Sequence, residues 1–524
     1  MSTKLIYPVL TGFQTNRRSF LKGTLAASVS MSFAGRTFAQ TSPAKGGKFT
    51  IGLSKGSTTD SLDPATYLDY YMATVGWGCL GNGLTQVDAK GAIQPDLAES
   101  FAAKDGGSTW VIKLRQGLTF HNGKPVTPAD VIASIKHHQG ADSKSAMKDI
   151  LSDVKDIKAD GDDVVFTLGG PNADFPYVLS DYHLPIMPAK EDGTADWASG
   201  IRTGPYKLDS FEPGVTTKMS RNPNHHRETW FDSIEVIAII DPAARTNALL
   251  NGDIDYMDSC DPKALALLQA SPDVNVVNVA GQSHNTFSMD VTNDKFKDPN
   301  VRNALKYAVD RDAILQKVFN GLGTVADDNP VAPAMKYFKA LEPKHSYDPE
   351  MAKSLLKKAG MSTLDVDLST SDAAYNGAVD AAVLFQDSAK AAGININVVR
   401  EPNDGYWDNV WMKKPFVASN WYGRPTAGWL LELAYVSPST WNECRWKNPH
   451  FDELIKSAKG ELDDTKRAEM YAECQQLIQT DGGLINLMFN NFVSAHRKNV
   501  AHGDVLTNWD IDGLRIAERW WKAS

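Results

Sequence analysis

The hydrophobic pattern is clearest between residues 109 and 135. Trp110, Ile112 and Leu114 alternate with Val111, Lys113 and Arg115, the two-residue period of a half-buried strand. His121-Asn122-Gly123-Lys124 predicts a tight reversal, because Asn and Gly accept positive φ. Thr127-Pro128-Ala129-Asp130 then opens a helix. Thr is a good N-cap, Pro suits the first helical position, and an acid three residues on favours the positive end of the helix. Further strands are predicted over 48–53, 164–168 and 285–290, with a return strand over 484–489. A helix is predicted over 241–252, capped by Asp241 and ended by Gly252. Another, amphipathic, spans 301–319, with Val301, Leu305, Ala308, Ile314 and Val318 on one side, and two more fall within 451–480.

Length turns these elements into an architecture. About 485 residues follow the first 39, more than one hydrophobic core usually serves, so two or more lobes are expected. No short repeat and no low-complexity linker divides them. Strands crossing between lobes are the expected connection.

Residues 1–39 read as a targeting segment. Asn16-Arg17-Arg18-Ser19-Phe20-Leu21-Lys22 resembles a twin-arginine export motif, a run of small residues follows, and Thr37 and Ala39 suit a signal peptidase. The run is too short and polar for a membrane span, which needs about twenty apolar residues. The formal charge of −9 becomes −14 without Lys4, Arg17, Arg18, Lys22 and Arg36. So acidic a chain argues against nucleic acid or anionic lipid as partner. Cys79, Cys260, Cys444 and Cys474 fit no zinc spacing; a Cys444–Cys474 disulfide and buried free thiols both remain open.

The stretch from Leu97 to Ile135, LAESFAAKDGGSTWVIKLRQGLTFHNGKPVTPADVIASI, resembles the extracytoplasmic solute-binding proteins of peptide/nickel-type (dipeptide/oligopeptide) ABC importers, bacterial solute-binding protein family 5. The likeness continues through Leu62-Asp63-Pro64, Thr203-Gly204-Pro205-Tyr206, the turn Asp253-Ile254-Asp255, the helix beginning Val301-Arg302 and a helix over 349–360. It implies an α/β fold, a two-lobed periplasmic-binding-protein clamp of type II with an extra subdomain in the first lobe. The implied division is 40–285 for the first lobe, with an insert near 81–195, then 286–490 for the second and 491–524 returning to the first. It also implies a periplasmic, monomeric protein without cofactor that captures a small solute and delivers it to a membrane permease.

Catalytic signatures are missing from the sequence: no GxSxG, GxxxxGK[ST], HExxH or CxxC is present. The pairs His137-His138 and His225-His226 point about 100° apart on a helix, poor geometry for sharing a metal. The His225-His226 pair reads as an exposed loop. The expectation is a binding protein with no catalytic residues and no metal site.

Six of the thirteen tryptophans lie between positions 407 and 446. By the resemblance this region walls the ligand cavity, which makes Trp407 and Trp421 the first candidates, followed by Trp441 and Asn442. Peptide-binding relatives carry W-x-A-D-Y-x-D-P here, whose first Asp holds the peptide ammonium. This chain reads Asn420-Trp421-Tyr422-Gly423-Arg424-Pro425, offering the guanidinium of Arg424 where that carboxylate is expected. A guanidinium fork suits carboxylate, phosphate or sulfate and cannot bind an ammonium. The amine would then be held by Asp404, Asp408 or an aromatic face. From the other lobe Tyr67 and Tyr70 are candidates, although their spacing is also that of a core stripe, and His284 and Asn285 lie at the crossing. Short peptides are the default solute. Anionic or zwitterionic nutrients, oligosaccharides and opine-like solutes are rivals, with metal chelates and a chaperone-like role further behind.

Overall fold

The computed structural model describes residues 43–523 except Ala141 and Asp404, so the export segment and one candidate ligand contact lie outside the described residues. The strand Lys48–Leu53 forms as its pattern predicts, with Phe49, Ile51 and Leu53 wholly buried. It enters an eleven-stranded sheet beside Ser233–Ala238, in parallel register, and Tyr256–Met257. Antiparallel strands Thr216–Arg221 and Tyr206–Glu212 complete that end. The other end is built from Phe416–Trp421, Leu364–Thr370 and Ile394–Arg400.

Two long strands hold the middle. Val274–Met289 and Leu484–Arg497 run antiparallel to each other, and each passes from one hydrophobic core to another. Val274, Val493 and Ala495 pack near Leu249 and Met257, whereas Phe287, Met289, Ile485 and Met488 pack with Leu305, Leu368 and Phe385. Between Ala280 and His284 the register slips. Gly281 occupies this break because a β-carbon there would sit 2.5 Å from the Asn490 carbonyl. The crossing strand is longer than the hydrophobic pattern alone indicates, since half of it belongs to the other core.

A separate four-stranded antiparallel sheet, ordered Ala98–Lys104, Thr109–Leu114, Asp163–Leu168, Val154–Asp160, carries its own core. Trp110, Ile112 and Leu114 point into it as the alternation requires. The helix Pro128–Gln139 packs over this sheet. At its start the Asp130 carboxylate accepts from the Thr127 N–H at 2.8 Å and the Ala189 N–H at 2.7 Å. The helix Pro242–Asn251 has Asp241 as cap and left-handed Gly252 as terminator.

One expected helix is two. The 301–319 pattern divides into Pro299–Ala308 and Arg311–Lys317, because Val309 is extended and Asp310 caps a fresh start through the Ala313 N–H. The break lets Arg311 turn inward, where it donates to Asp328 at 2.7 Å and to the carbonyls of Asn486 and His345, each at 2.8 Å. Helices Pro449–Gly460 and Asp464–Asp481 match the two expected between 451 and 480. All four cysteines are buried free thiols. Among the described residues no helix is long and apolar enough to cross a membrane.

Candidate functional site

The inserted sheet meets the second core along a seam. There the Ala173 N–H donates to the Lys459 carbonyl at 2.7 Å, and Asp174 pairs with the buried Arg467. A cavity of about 300 Å³ lies in this seam, lined by Asp149, Tyr177, Thr426, Trp429, Glu432 and Tyr471 among others. Thr426 is two residues beyond Arg424 and caps the helix Ala427–Tyr435, so one short segment serves both cavity and guanidinium.

Arg424 is half-buried, and both of its hydrogen bonds go to its own segment, the carbonyls of Tyr422 and Gly423 at 3.2 and 3.0 Å. Among the described residues no carboxylate comes within ion-pair distance of it. Burial pulls its guanidinium below the ordinary value, while Tyr182, Asp181 and Tyr70, facing it from the first core and the inserted region, act in the opposite sense. Asp181 is already engaged, with His183 Nδ1 at 2.6 Å from its carboxylate, and His183 Nε2 lies 2.9 Å from the Tyr67 carbonyl. The positive charge is thus desolvated and held without a counterion.

An aromatic ladder ends at Trp421, three residues before Arg424 in the chain. Trp407 meets Trp411 at 5.8 Å, Trp411 meets Trp441 at 6.0 Å, and Trp441 meets Trp421 at 6.0 Å, mostly edge to face. Trp421 ends the strand Phe416–Trp421 opposite His284 and is buried, whereas Trp407, Trp441 and Tyr422 are exposed. The Trp411 and Trp421 N–H groups donate to one buried carboxylate, Glu443, at 2.5 and 3.0 Å, and the Ser288 hydroxyl donates to it as well. Sequence reasoning missed Glu443. Only its place next to Trp441-Asn442 hinted at it.

Tyr70 is half-buried and faces Tyr182, Tyr422, Arg424 and Asp510; burial first, then the Asp510 charge, pushes its phenol well up. Asp510, also missed, opens a turn in which Ile511, Asp512, Gly513 and Leu514 all have positive φ. Burial, reinforced by the charge of Asp258, pushes its carboxyl up to about 7. Trp509 meets Tyr182 edge to face at 5.3 Å, completing the aromatic surface on that side.

Tyr67 is buried and donates to the Leu62 carbonyl at 3.3 Å. Asn285 and Asn490 exchange amide hydrogen bonds at 3.1 Å between the two long strands. Asn442 is occupied by its own loop, giving to the Trp446 carbonyl at 2.7 Å and accepting from the Trp446 N–H at 3.2 Å. His284 is fully buried with neither ring nitrogen hydrogen-bonded, and burial lowers it to about 3. Asp408 is exposed. The His225-His226 pair is not an exposed loop: both rings are half-buried, with Asn82 at 3.3 Å from His225 and Asp96 at 3.2 Å from His226. Among the described residues no three His, Cys, Asp or Glu side chains converge where a metal could sit.

The family model for bacterial extracellular solute-binding proteins, family 5 Middle, matches residues 92–441. The chain is 24% identical over 494 residues to di/tripeptide-binding protein 2 of Pseudomonas aeruginosa, covering 86% of this chain and 92% of the relative. It is 25% identical over 467 residues to the glutathione-binding protein GsiB of Escherichia coli, covering 86% and 91%. In structure it is similar to the periplasmic binding protein DppA of Helicobacter pylori in complex with the peptide STSA, with a TM-score of 0.71 at 22% identity over 92% of this chain and 99% of that one. The two-lobed α/β fold, the seam between its halves and a match over most of the sequence agree: the chain belongs to the bacterial extracellular solute-binding proteins, family 5.

Proposed function

We propose that this protein captures a small peptide or peptide-like solute bearing a carboxylate or other compact anion, encloses it between the lobes, and delivers it to the permease of an ABC importer. The observation that carries the reading is Arg424, a half-buried guanidinium with no counterion among the described residues, flanked by Tyr70 and Tyr182. A rigid fork of donors in a desolvated setting matches a carboxylate better than any neutral group does. The relatives named for di/tripeptides and glutathione support a peptide-like acid, since those solutes carry carboxylates.

Export by the twin-arginine route through residues 16–22, a periplasmic location and a monomeric state complete the proposal, with the lobe boundaries near 285 and 490. A solute touching both walls favours the closed form through its differential affinity for that form. No bond is made or broken in the solute.

Native mass spectrometry of freshly purified protein, followed by calorimetry with the released solute, glutathione and a tripeptide set, tests the reading. A retained or titrating solute with an anionic group is expected, and Arg424→Ala should weaken it at least tenfold with an unchanged melting temperature. Equal affinity in wild type and Arg424→Ala would sink the anion assignment.

A further inference from the structure

Glu443 is a buried carboxylate, 5% exposed, held only by neutral donors: the indole N–H groups of Trp411 and Trp421 and the Ser288 hydroxyl. Among the described residues no Lys, Arg or His pairs with it. Neutral donors stabilise a carboxylate without cancelling its charge, so the wall carries an uncompensated negative charge in a desolvated place. An indole that donates to a carboxylate is polarised by it, which makes the ring face more electron-rich. Trp441 packs on both anchored indoles and is 47% exposed; Trp407 packs on Trp411 and is 41% exposed. The ladder therefore leaves two indoles, Trp441 and Trp407, partly open to solvent and packed on indoles tied to a buried carboxylate.

We propose that the Trp407–Trp411–Trp441–Trp421 ladder, backed by Glu443, seats an organic ammonium group of the bound solute. Cations with diffuse charge and apolar skin gain most from such faces, because they shed water easily. Exposed Trp441 is the primary contact, and Glu443 is a positioning and charging residue that never touches the solute. This inference rests on the anion reading of Arg424 only in that the complete guest is then a zwitterion, its negative group at Arg424 and its positive group on the indoles. The ladder takes over the ammonium-binding duty that Arg424, standing where an acid was expected, is unable to perform.

Two probes of the same shape separate charge from fit. Glycine betaine and 3,3-dimethylbutanoate each carry one carboxylate and one tert-butyl-shaped head, and differ only in the positive nitrogen. Titration of the full mature chain, followed by tryptophan fluorescence and calorimetry, should show betaine binding about tenfold more tightly or better. In Glu443→Gln, which keeps the volume and an acceptor oxygen, the preference should fall to near unity. A merely structural Glu443 would weaken both probes alike and leave their ratio intact, which would overturn the proposal. Trp441→Leu, at an exposed position, should erase the preference even if Glu443→Gln folds poorly. Equal affinity of wild type for the two probes, or binding of neither, would also overturn it. Arg424→Ala should weaken both probes together at a constant ratio. If it weakens neither while the betaine preference persists, the anion reading fails and the ammonium seat stands.

Discussion

Asp174→Asn should loosen the closed form without touching any residue assigned to the solute. Arg467 is 5% exposed at its side chain, and Asp174 13%. Burial alone would lower the Arg467 guanidinium, but the charge and hydrogen bond of Asp174 together with Tyr471 and Tyr337 outweigh that and hold it above its ordinary value. Arg467 is also fixed within its own core, donating to the Ala458 carbonyl at 3.1 Å and to the Tyr337 hydroxyl at 3.0 Å, with its guanidinium over the Tyr337 and Tyr471 rings. Asp174 is therefore the residue to change, because its removal empties the seam and leaves the second core intact. Removing one partner of a fully buried pair costs about 3–5 kcal/mol. Here water can reach the guanidinium once the seam parts, so about 2 kcal/mol is the expected loss, borne by the closed form alone. That shift corresponds to about a 30-fold drop in the closed-to-open ratio and a similar fall in solute affinity where the open form dominates. Calorimetry reads the affinity, and small-angle scattering of the solute-free protein reads the expansion. Wild-type affinity together with wild-type scattering would refute the reasoning.

Two further outcomes follow from buried titratable groups. His138 and His284 are held neutral by burial at about 3, and His121, His225 and His496 at about 4. Their folded values lie below the unfolded value of about 6.5, so stability is lost as pH falls from there toward 4. Asp510, raised to about 7, works the other way and stabilises as pH falls over much of that window. The net slope is at most roughly 5 kcal/mol per pH unit; a melting temperature flat between pH 6.5 and 4.5 would contradict it. Separately, a thiol-reactive dye should label none of the four buried cysteines in the native protein and all four in denaturant. A titre below four after unfolding would reveal a disulfide.

Local rules made much of the fold legible. The alternation around Trp110, the cap at Asp241 and the terminator at Gly252 each act within a few residues, and each element forms where expected. The 301–319 helix was misread because its apolar stripe is continuous across Asp310; the break is set by Arg311 finding Asp328, a partner remote in sequence. The site divided along the same line. The exposed Trp441 and the unpaired Arg424 were reachable from residue type and an expected acid that was missing. Glu443, Tyr182 and Asp510 were not, because their meaning depends on which distant side chains face them. Asn442 and Asn285, both candidate ligand donors, already make hydrogen bonds, Asn442 to the Trp446 carbonyl and Asn285 to Asn490.

The strand Leu484–Arg497 lies in the middle of the large sheet, between Val274–Met289 and Tyr256–Met257, although it follows both by a long stretch of sequence. Ile485, Leu487 and Met488 fill one interior and Val493 and Ala495 another. Neither half can finish assembling without this strand, so a chain stopped before residue 480 should remain protease-sensitive in both halves. Completion of both halves hinges on one segment remote in sequence from the strands it joins.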